Sequence, residues 1–203
     1  MKHARRRALV QVWIACGALG SPAAVAGCGG SSADHRDPAS RETVDAPARL
    51  PPTWRRHLDA RIGFTLGLPP GWSWQPGANA TRVRSPDRHL ALSVSADRGS
   101  DGRSDPPDDY VRQTVANLSG YGSLRVGPLQ GLKGLAYPAA TITATGLFVK
   151  TGVRQQIQLF ALRRPGLVTY LIAVFRDASV PASRYAASLE RIVRSFRARP
   201  PRA

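Results

Sequence analysis

The chain has 203 residues, enough for one domain with a proper core, and it is strongly basic. Its 29 Lys and Arg against 13 Asp and Glu give a formal net charge of +16 at pH 7, which would attract the protein to an anionic membrane surface or envelope polymer. The two cysteines are Cys16 and Cys28, so the rest of the chain is excluded from forming a disulfide or a thiolate metal site.

Residues 1–27 have the order of a secretory signal. Lys2 and Arg5 lie in a basic start without acids, and residues 8–19 are mostly apolar. That apolar run is shorter than the ~20 residues that span a bilayer, which argues against a permanent transmembrane anchor. Whether export follows the general or the twin-arginine route stays open.

A lipobox ends this signal. Val25, Ala26 and Gly27 directly precede Cys28, and small side chains fit a peptidase site in extended form. We therefore predict cleavage before Cys28, diacylglycerol and palmitate-type acylation at that residue, and a lipid anchor on the outer face of the cell membrane. The alternative is ordinary signal cleavage with an incidental cysteine.

The remainder divides into three predicted segments. Residues 28–53, which begin with the lipidated Cys28, are rich in Ser, Ala, Asp, Arg and Pro without apolar periodicity, which predicts a flexible linker. Residues 54–198 form the predicted folded domain, and residues 199–203 a disordered tail. Export and the absence of a recognition motif argue against nucleic acid as a partner.

Hydrophobic periodicity then places the elements of the domain in chain order. We predict strands at 64–68, 81–84, 89–96, 124–129, 135–145, 154–162 and 167–175, and helices at 106–118 and 181–196. Residues 167–175 are almost continuously apolar, which predicts a central strand covered on both faces. Asp105 is the predicted cap of the first helix. The order predicts an α+β domain, an antiparallel β-sheet flanked by helices.

Three motifs resemble the PsbP-like fold, which the nuclear Ran-release factor shares, and the LpqN-type bacterial lipoproteins within it. They are the strand and turn GFTLGLPPGW at 63–72, the strand pair within 154–175, and the helix end IVRSF at 192–196. The resemblance implies an α/β/α sandwich, an accessory or binding role, and no common catalytic residues. LpqN-type members are linked to the cell envelope and to partners in lipid trafficking.

Metal and catalytic signals are weak. No histidine has the spacing of a metal ligand, and the recurrence of Asp97, Asp101 and Asp105 favours a solvated loop over a calcium site. No Gly-x-Ser-x-Gly motif occurs. We predict no metal, no cofactor and no catalytic site, and keep a hydrolase using Asp87, Asp177 or a serine as an alternative.

One aromatic group is a candidate binding groove. Trp72, Trp74 and Tyr137 could line an apolar groove, although core packing is the commoner role of such rings. The sequence thus predicts a non-enzymatic accessory or binding lipoprotein of the cell envelope, with a protein or an amphipathic lipid as partner. A further alternative is docking of the basic domain on anionic polymer.

Overall fold

The structure of the protein is a computed structural model, and it describes residues 50–97, 105–164 and 168–199. Ten strands and two helices occur in these ranges. In chain order they are β1 (Arg55–Asp59), β2 (Phe64–Leu68), β3 (Ser73–Pro76), β4 (Ala80–Arg84), β5 (Leu90–Asp97), α1 (Pro107–Ala116), β6 (Tyr121–Leu132), β7 (Ala139–Phe148), β8 (Val153–Arg164), β9 (Val168–Asp177), α2 (Ser183–Ser195) and β10 (Arg197–Ala198).

The strands form two antiparallel sheets. The large sheet has seven strands in the order β3-β4-β5-β9-β8-β7-β6, and the small sheet has the order β1-β2-β10. Strand β9 is the middle strand of the large sheet, and its residues 169–176 are all buried. The predicted central position of this apolar strand is therefore confirmed, because only a strand covered on both sides buries a continuous apolar run.

A separate hydrophobic core covers each face of the large sheet. On one face, Val111 and Val115 of α1 pack against apolar residues of β7, β8 and β9. On the other face, Tyr185 and Ile192 of α2 pack with the small sheet against β5 and β9. Helices thus lie on both sides of an antiparallel sheet, which confirms the predicted α+β class and the α/β/α sandwich.

The turn after β2 depends on one glycine. Gly71 has φ +77°, a left-handed conformation that side chains with a Cβ disfavour. A Cβ at this position would also lie 3.2 Å from Cγ of Pro86 in the β4–β5 turn. The glycine of the GFTLGLPPGW motif is therefore required both by the turn and by its packing against the large sheet.

Asp59 fastens the small sheet to the large one. Its Oδ1 accepts hydrogen bonds of 3.0 Å from the N–H groups of Arg61 and Ile62, and its Oδ2 accepts one from the Thr81 hydroxyl on β4. The side chain is only 4% exposed. Burial alone would raise the pKa of Asp59, but the hydrogen bonds from Ile62, Thr81 and Arg61 lower it overall.

The structure corrects two local predictions. Strands β1 and β3 were not predicted, and both are short, with mostly exposed side chains and no clear apolar alternation. Asp105 does not cap α1: the N-cap position is Pro106 and no side chain caps it. Asp105 instead accepts a 3.3 Å hydrogen bond from Gln113. The signal, the lipobox with Cys28, residues 28–49 of the linker, residues 98–104 with Asp101, and residues 200–203 lie outside the described ranges.

Candidate binding cavity

Strand β8 presents a polar stretch towards α2. Alternate residues of a strand point to opposite faces, so Ile157 and Leu159 join the α1 core while Gln156 and Gln158 face the α2 side. The antiparallel register sets Gln156 opposite Arg176 of β9 and Gln158 opposite Val174. Three long polar side chains therefore meet on a face whose neighbouring residues are apolar core.

A cavity of about 410 Å³ lies between this polar stretch and α2. Its size falls within the roughly 300–1,000 Å³ of ordinary ligand pockets. Strands β8 and β9, the β6–β7 connection and α2 line it together. The lining residues are Leu132, Lys133, Leu135, Gln156, Gln158, Phe160, Arg176, Ala182, Ala186, Leu189, Glu190, Val193 and Arg194.

Arg176 is the buried charge of the cavity, with a residue exposure of 9%. Its guanidinium donates to the side-chain carbonyl oxygen of Gln156 and, at 3.4 Å, to the backbone oxygen of Asp177. No carboxylate of the described residues lies within ion-pair distance of it. Burial lowers the pKa of Arg176, but a guanidinium still remains protonated at neutral pH.

Small side chains at the start of α2 lie at the exposed mouth of the cavity. Ala182 and Ala186 lie one helical turn apart on the lining face, followed by Leu189 and Val193. The exposed alanines leave the cavity open at its mouth, and the more buried Leu189 and Val193 line it further along the helix. The result is a cavity with a charged floor and mainly apolar walls.

Two polar contacts fix the carboxyl end of α2 to other elements. Ser195 Oγ accepts a buried 2.8 Å hydrogen bond from the N–H of Gly67 on β2. Arg194 donates at 3.0 Å both to Glu190 and to the carbonyl of Gly134 in the β6–β7 connection. The bonds to Gly67 and Gly134 hold the helix to β2 and to the β6–β7 connection.

The amino end of α2 is fixed by Asp87 in the β4–β5 turn. Arg184 forms a 2.8 Å ion pair with Asp87 Oδ2, and the Tyr185 hydroxyl donates to the same oxygen. Burial alone would raise the pKa of Asp87, but hydrogen bonds from Ser85, Tyr185 and His89 lower it overall. Burial and the bond to Asp87 raise the pKa of Tyr185. With both ends held, the cavity is preformed.

The groups named for a hydrolase lie near one another, with His89 in contact with both Asp87 and Asp177, but their hydrogen bonds hold turns together. Ser85 Oγ donates to Asp87 at 2.6 Å, and Asp177 Oδ1 accepts two bonds from Ser179. His89 Nδ1 lies 3.9 Å from Asp177 Oδ2. Nowhere in residues 50–97, 105–164 and 168–199 does a hydrogen bond join a serine hydroxyl to a histidine ring, which is the pairing that activates a serine nucleophile.

The predicted aromatic groove lies elsewhere. Trp72, Trp74 and Tyr137 are half-buried and pack on the rim of the α2-side core, and they are not among the lining residues of the cavity. Trp74 stacks on the ring of His57 with centroids 5.1 Å apart, and Tyr137 meets Phe196 edge-on. The groove at these three rings stays a prediction.

The described ranges contain neither a metal-binding cluster nor a helix that could span a membrane. No group of three His, Cys, Asp or Glu side chains in them could hold a metal ion. No helix within those same ranges has both the length and the apolar character needed to cross a membrane.

Comparison with known proteins finds relatives in structure only. No protein-family model matches the chain, and no curated protein matches it. The Ran-binding protein Mog1p of Saccharomyces cerevisiae matches with a TM-score of 0.50 and 9% identity, over 71% of this chain and 95% of Mog1p. The chain has the PsbP-like fold. The fold predicted from the three sequence motifs is thereby confirmed.

Two further solved structures are similar. The cyanobacterial PsbP of Synechocystis matches with a TM-score of 0.49 and 16% identity, over 79% of this chain and 98% of its own. LpqN of Mycobacterium tuberculosis, described as involved in cell envelope biogenesis, matches with a TM-score of 0.47 and 11% identity, over 72% of this chain and 91% of its own.

Proposed function

We propose that the protein is a non-enzymatic binding module of the cell envelope, anchored to the outer face of the membrane by lipid on Cys28. The cavity beneath α2 is its binding site. The observation that supports this most directly is a preformed space of about 410 Å³ that combines apolar walls with a few polar groups. That combination is the usual form of a small-molecule site.

The engagement of the titratable groups favours binding over catalysis. Asp59, Asp87 and Asp177 each accept hydrogen bonds that hold turns or layers together. A general base or nucleophile needs a free, positioned group within reach of a substrate. Among the described residues that line the cavity, Glu190 is the one carboxylate, and it is paired with Arg194.

The envelope location is supported by the lipobox at residues 25–28 and by the structural likeness to LpqN, a protein of cell envelope biogenesis. We therefore place the protein among LpqN-type lipoproteins as a proposal. An amphipathic lipid is the partner that suits the cavity, since its apolar walls and polar floor match the two ends of such a molecule. An envelope protein is the other outcome of the test below.

The binding role is tested by filling the cavity. Ala186 lines it, and its neighbour Ala187 is exposed on the same helix without lining it. We expect Ala186→Trp to lose the molecule that co-purifies with the native lipidated protein, and Ala187→Trp to retain it. Mass spectrometry of bound lipids and proteins measures the difference, and thermal unfolding checks that both variants fold. Identical bound material in all three proteins would overturn the proposed site.

The anchor is tested separately. Cys28→Ser should move the protein from the membrane pellet to the soluble fraction, because no thiol remains for acylation. Cys16→Ser changes the chain's other cysteine and should leave the protein in the membrane fraction. If the Cys28 variant sediments with membranes as before, lipid anchoring is refuted while the binding role stands.

A further inference from the structure

We infer that the cavity binds an amphiphile with an anionic head, a phosphate or a carboxylate, and that the head pairs with the Arg176 guanidinium. This inference rests on the proposed binding function and names the chemistry of its ligand. The structural basis is a cation that is nine-tenths buried, lines the cavity and has no carboxylate partner among the described residues.

A buried charge without a counter-ion is costly, because it loses hydration that nothing replaces. The two acceptors of Arg176 are a side-chain amide oxygen of Gln156 and a backbone oxygen of Asp177, and both are neutral. A guanidinium has five N–H donors, arranged as a fork that fits a carboxylate or phosphate with two parallel bonds. An anion entering the cavity would supply the missing charge and acceptors together.

The charge of Asp177 attracts the Arg176 guanidinium and opposes the lowering of its pKa by burial, but no nearby carboxylate forms an ion pair with it. Asp177 Oδ1 accepts from the N–H and hydroxyl of Ser179, and its Oδ2 faces His89 at 3.9 Å. Glu190 at the rim is held by Arg194 at 3.0 Å. Lys133, also at the rim, adds a further positive charge. The electrostatic potential at the mouth of the cavity therefore favours the entry of an anion.

The other lining groups suit the remainder of such a ligand. Gln156 and Gln158 supply side-chain amides beside the guanidinium. Leu132, Leu135 and Phe160 form an apolar wall, and Leu189 and Val193 face it from α2. If the anionic head of the ligand binds Arg176, its hydrocarbon chain lies against these apolar side chains. Both parts of the ligand contribute, the head through charged hydrogen bonds and the chain through burial of apolar surface.

Three probes separate these contributions. Octyl phosphate has the head and the chain, inorganic phosphate has only the head, and octanol has only the chain. We expect calorimetric titration to show octyl phosphate binding at least roughly tenfold more tightly than octanol, because a hydrogen-bonded charge is worth about that factor or more. We expect a gain of at least roughly tenfold over inorganic phosphate as well, because the octyl chain buries apolar surface. Tight binding of inorganic phosphate alone would identify a free-phosphate site in place of an amphiphile site and overturn the inference.

Variants of Arg176 test whether the anionic head of the ligand binds at this residue. Arg176→Met should weaken octyl phosphate binding roughly tenfold or more and leave octanol binding unchanged. Arg191→Met removes an exposed arginine of α2 that does not line the cavity, and it should leave both unchanged. If octyl phosphate binds Arg176→Met as tightly as wild type, the anion site is refuted, although the cavity could still be the binding site by the Ala186→Trp test.

Stability distinguishes a ligand site from a structural arginine. Because Arg176 is a buried charge that forms no ion pair with the described carboxylates, Arg176→Met should keep or raise the thermal midpoint of the ligand-free protein. A large fall in that midpoint would show that Arg176 serves the fold and would overturn the inference. Arg176→Lys provides a second check, since it keeps the charge without the fork: it should bind octyl phosphate more tightly than Arg176→Met does. Equal affinities would contradict a charge-pairing role.

Discussion

The two faces of the large sheet are built differently from the same strands. On the α1 face, β8 contributes Ile157 and Leu159, both almost fully buried, and α1 lies directly on them. On the α2 face, the intervening Gln156 and Gln158 line a cavity. One strand therefore supports a closed core on one side and an open, polar-floored space on the other.

This difference indicates that the α1 face of the sheet mainly stabilises the fold, whereas the α2 face provides the proposed binding site. Apolar burial stabilises a fold in proportion to the area removed from water, so the closed α1 core contributes through every residue that it contains. The residues around Arg176 cannot contribute in that way, because polar groups on a cavity floor gain little from burial. The helix above them is instead held at its ends, by Asp87 at one end and by Gly67 and Gly134 at the other.

The strongest test of the comparison truncates the closed face. Ile157→Ala removes a side chain with no exposed surface and leaves a hole that the packed core cannot easily fill. We expect the free energy of unfolding to fall by about 2–5 kcal/mol. Urea denaturation at pH 7 measures the change.

Gln158→Leu is the matched change one residue further along the same strand. It alters the cavity side, where the side chain is half-buried, and it should shift the free energy of unfolding by no more than about 0.5 kcal/mol. If the two variants lost similar stability, the division between a closed and an open face would be wrong.

A loss of stability smaller than that of Ile157→Ala is expected where the small sheet joins the large one. Asp59→Asn keeps the shape of the side chain but replaces the charged carboxylate, which accepts hydrogen bonds from Arg61, Ile62 and Thr81, with a neutral amide. We expect a loss of about 1–3 kcal/mol at pH 7. Urea denaturation of wild type and variant at pH 7 and at pH 3 measures it.

The pH dependence follows from the direction of the shift. Since the pKa of Asp59 is lowered in the folded protein, its contribution is complete above the ordinary aspartate pKa of about 4 and is lost as the pH falls through the lowered value. Wild type and Asp59→Asn should therefore differ most at pH 7 and converge in acid. A difference of the same size at pH 3 would contradict the role of the ionised carboxylate.

Much of the fold could be predicted because its longer elements have a clear periodicity. The helical spacing of Tyr185, Ile192 and Val193 and the alternation of Leu90, Leu92 and Val94 both correspond to buried faces. Strands β1 and β3 escaped prediction because pairing partners, and not their own side chains, define them. Their exposed residues have no apolar pattern for a sequence to show.

The cavity could be predicted only in part. Gln156 and Gln158 alternate with the apolar Ile157 and Leu159 along the strand, and that pattern is visible in the sequence. Arg176 ends the apolar run of β9 and gives no signal on its own. Its meeting with Gln156 depends on the β8–β9 register, and its burial depends on the position of α2.

By itself, the sequence determined the order and type of the main elements, the α+β class and the likeness to the PsbP-like fold, because these follow from local periodicity and short motifs. The predicted lipid attachment at Cys28 likewise rests on local chemistry alone. Only the tertiary structure decided which strands are neighbours, which face of β8 is closed, and that Arg176 lies buried without a carboxylate partner among the described residues. Those properties depend on contacts between residues far apart in the chain, and charge burial has no local signature.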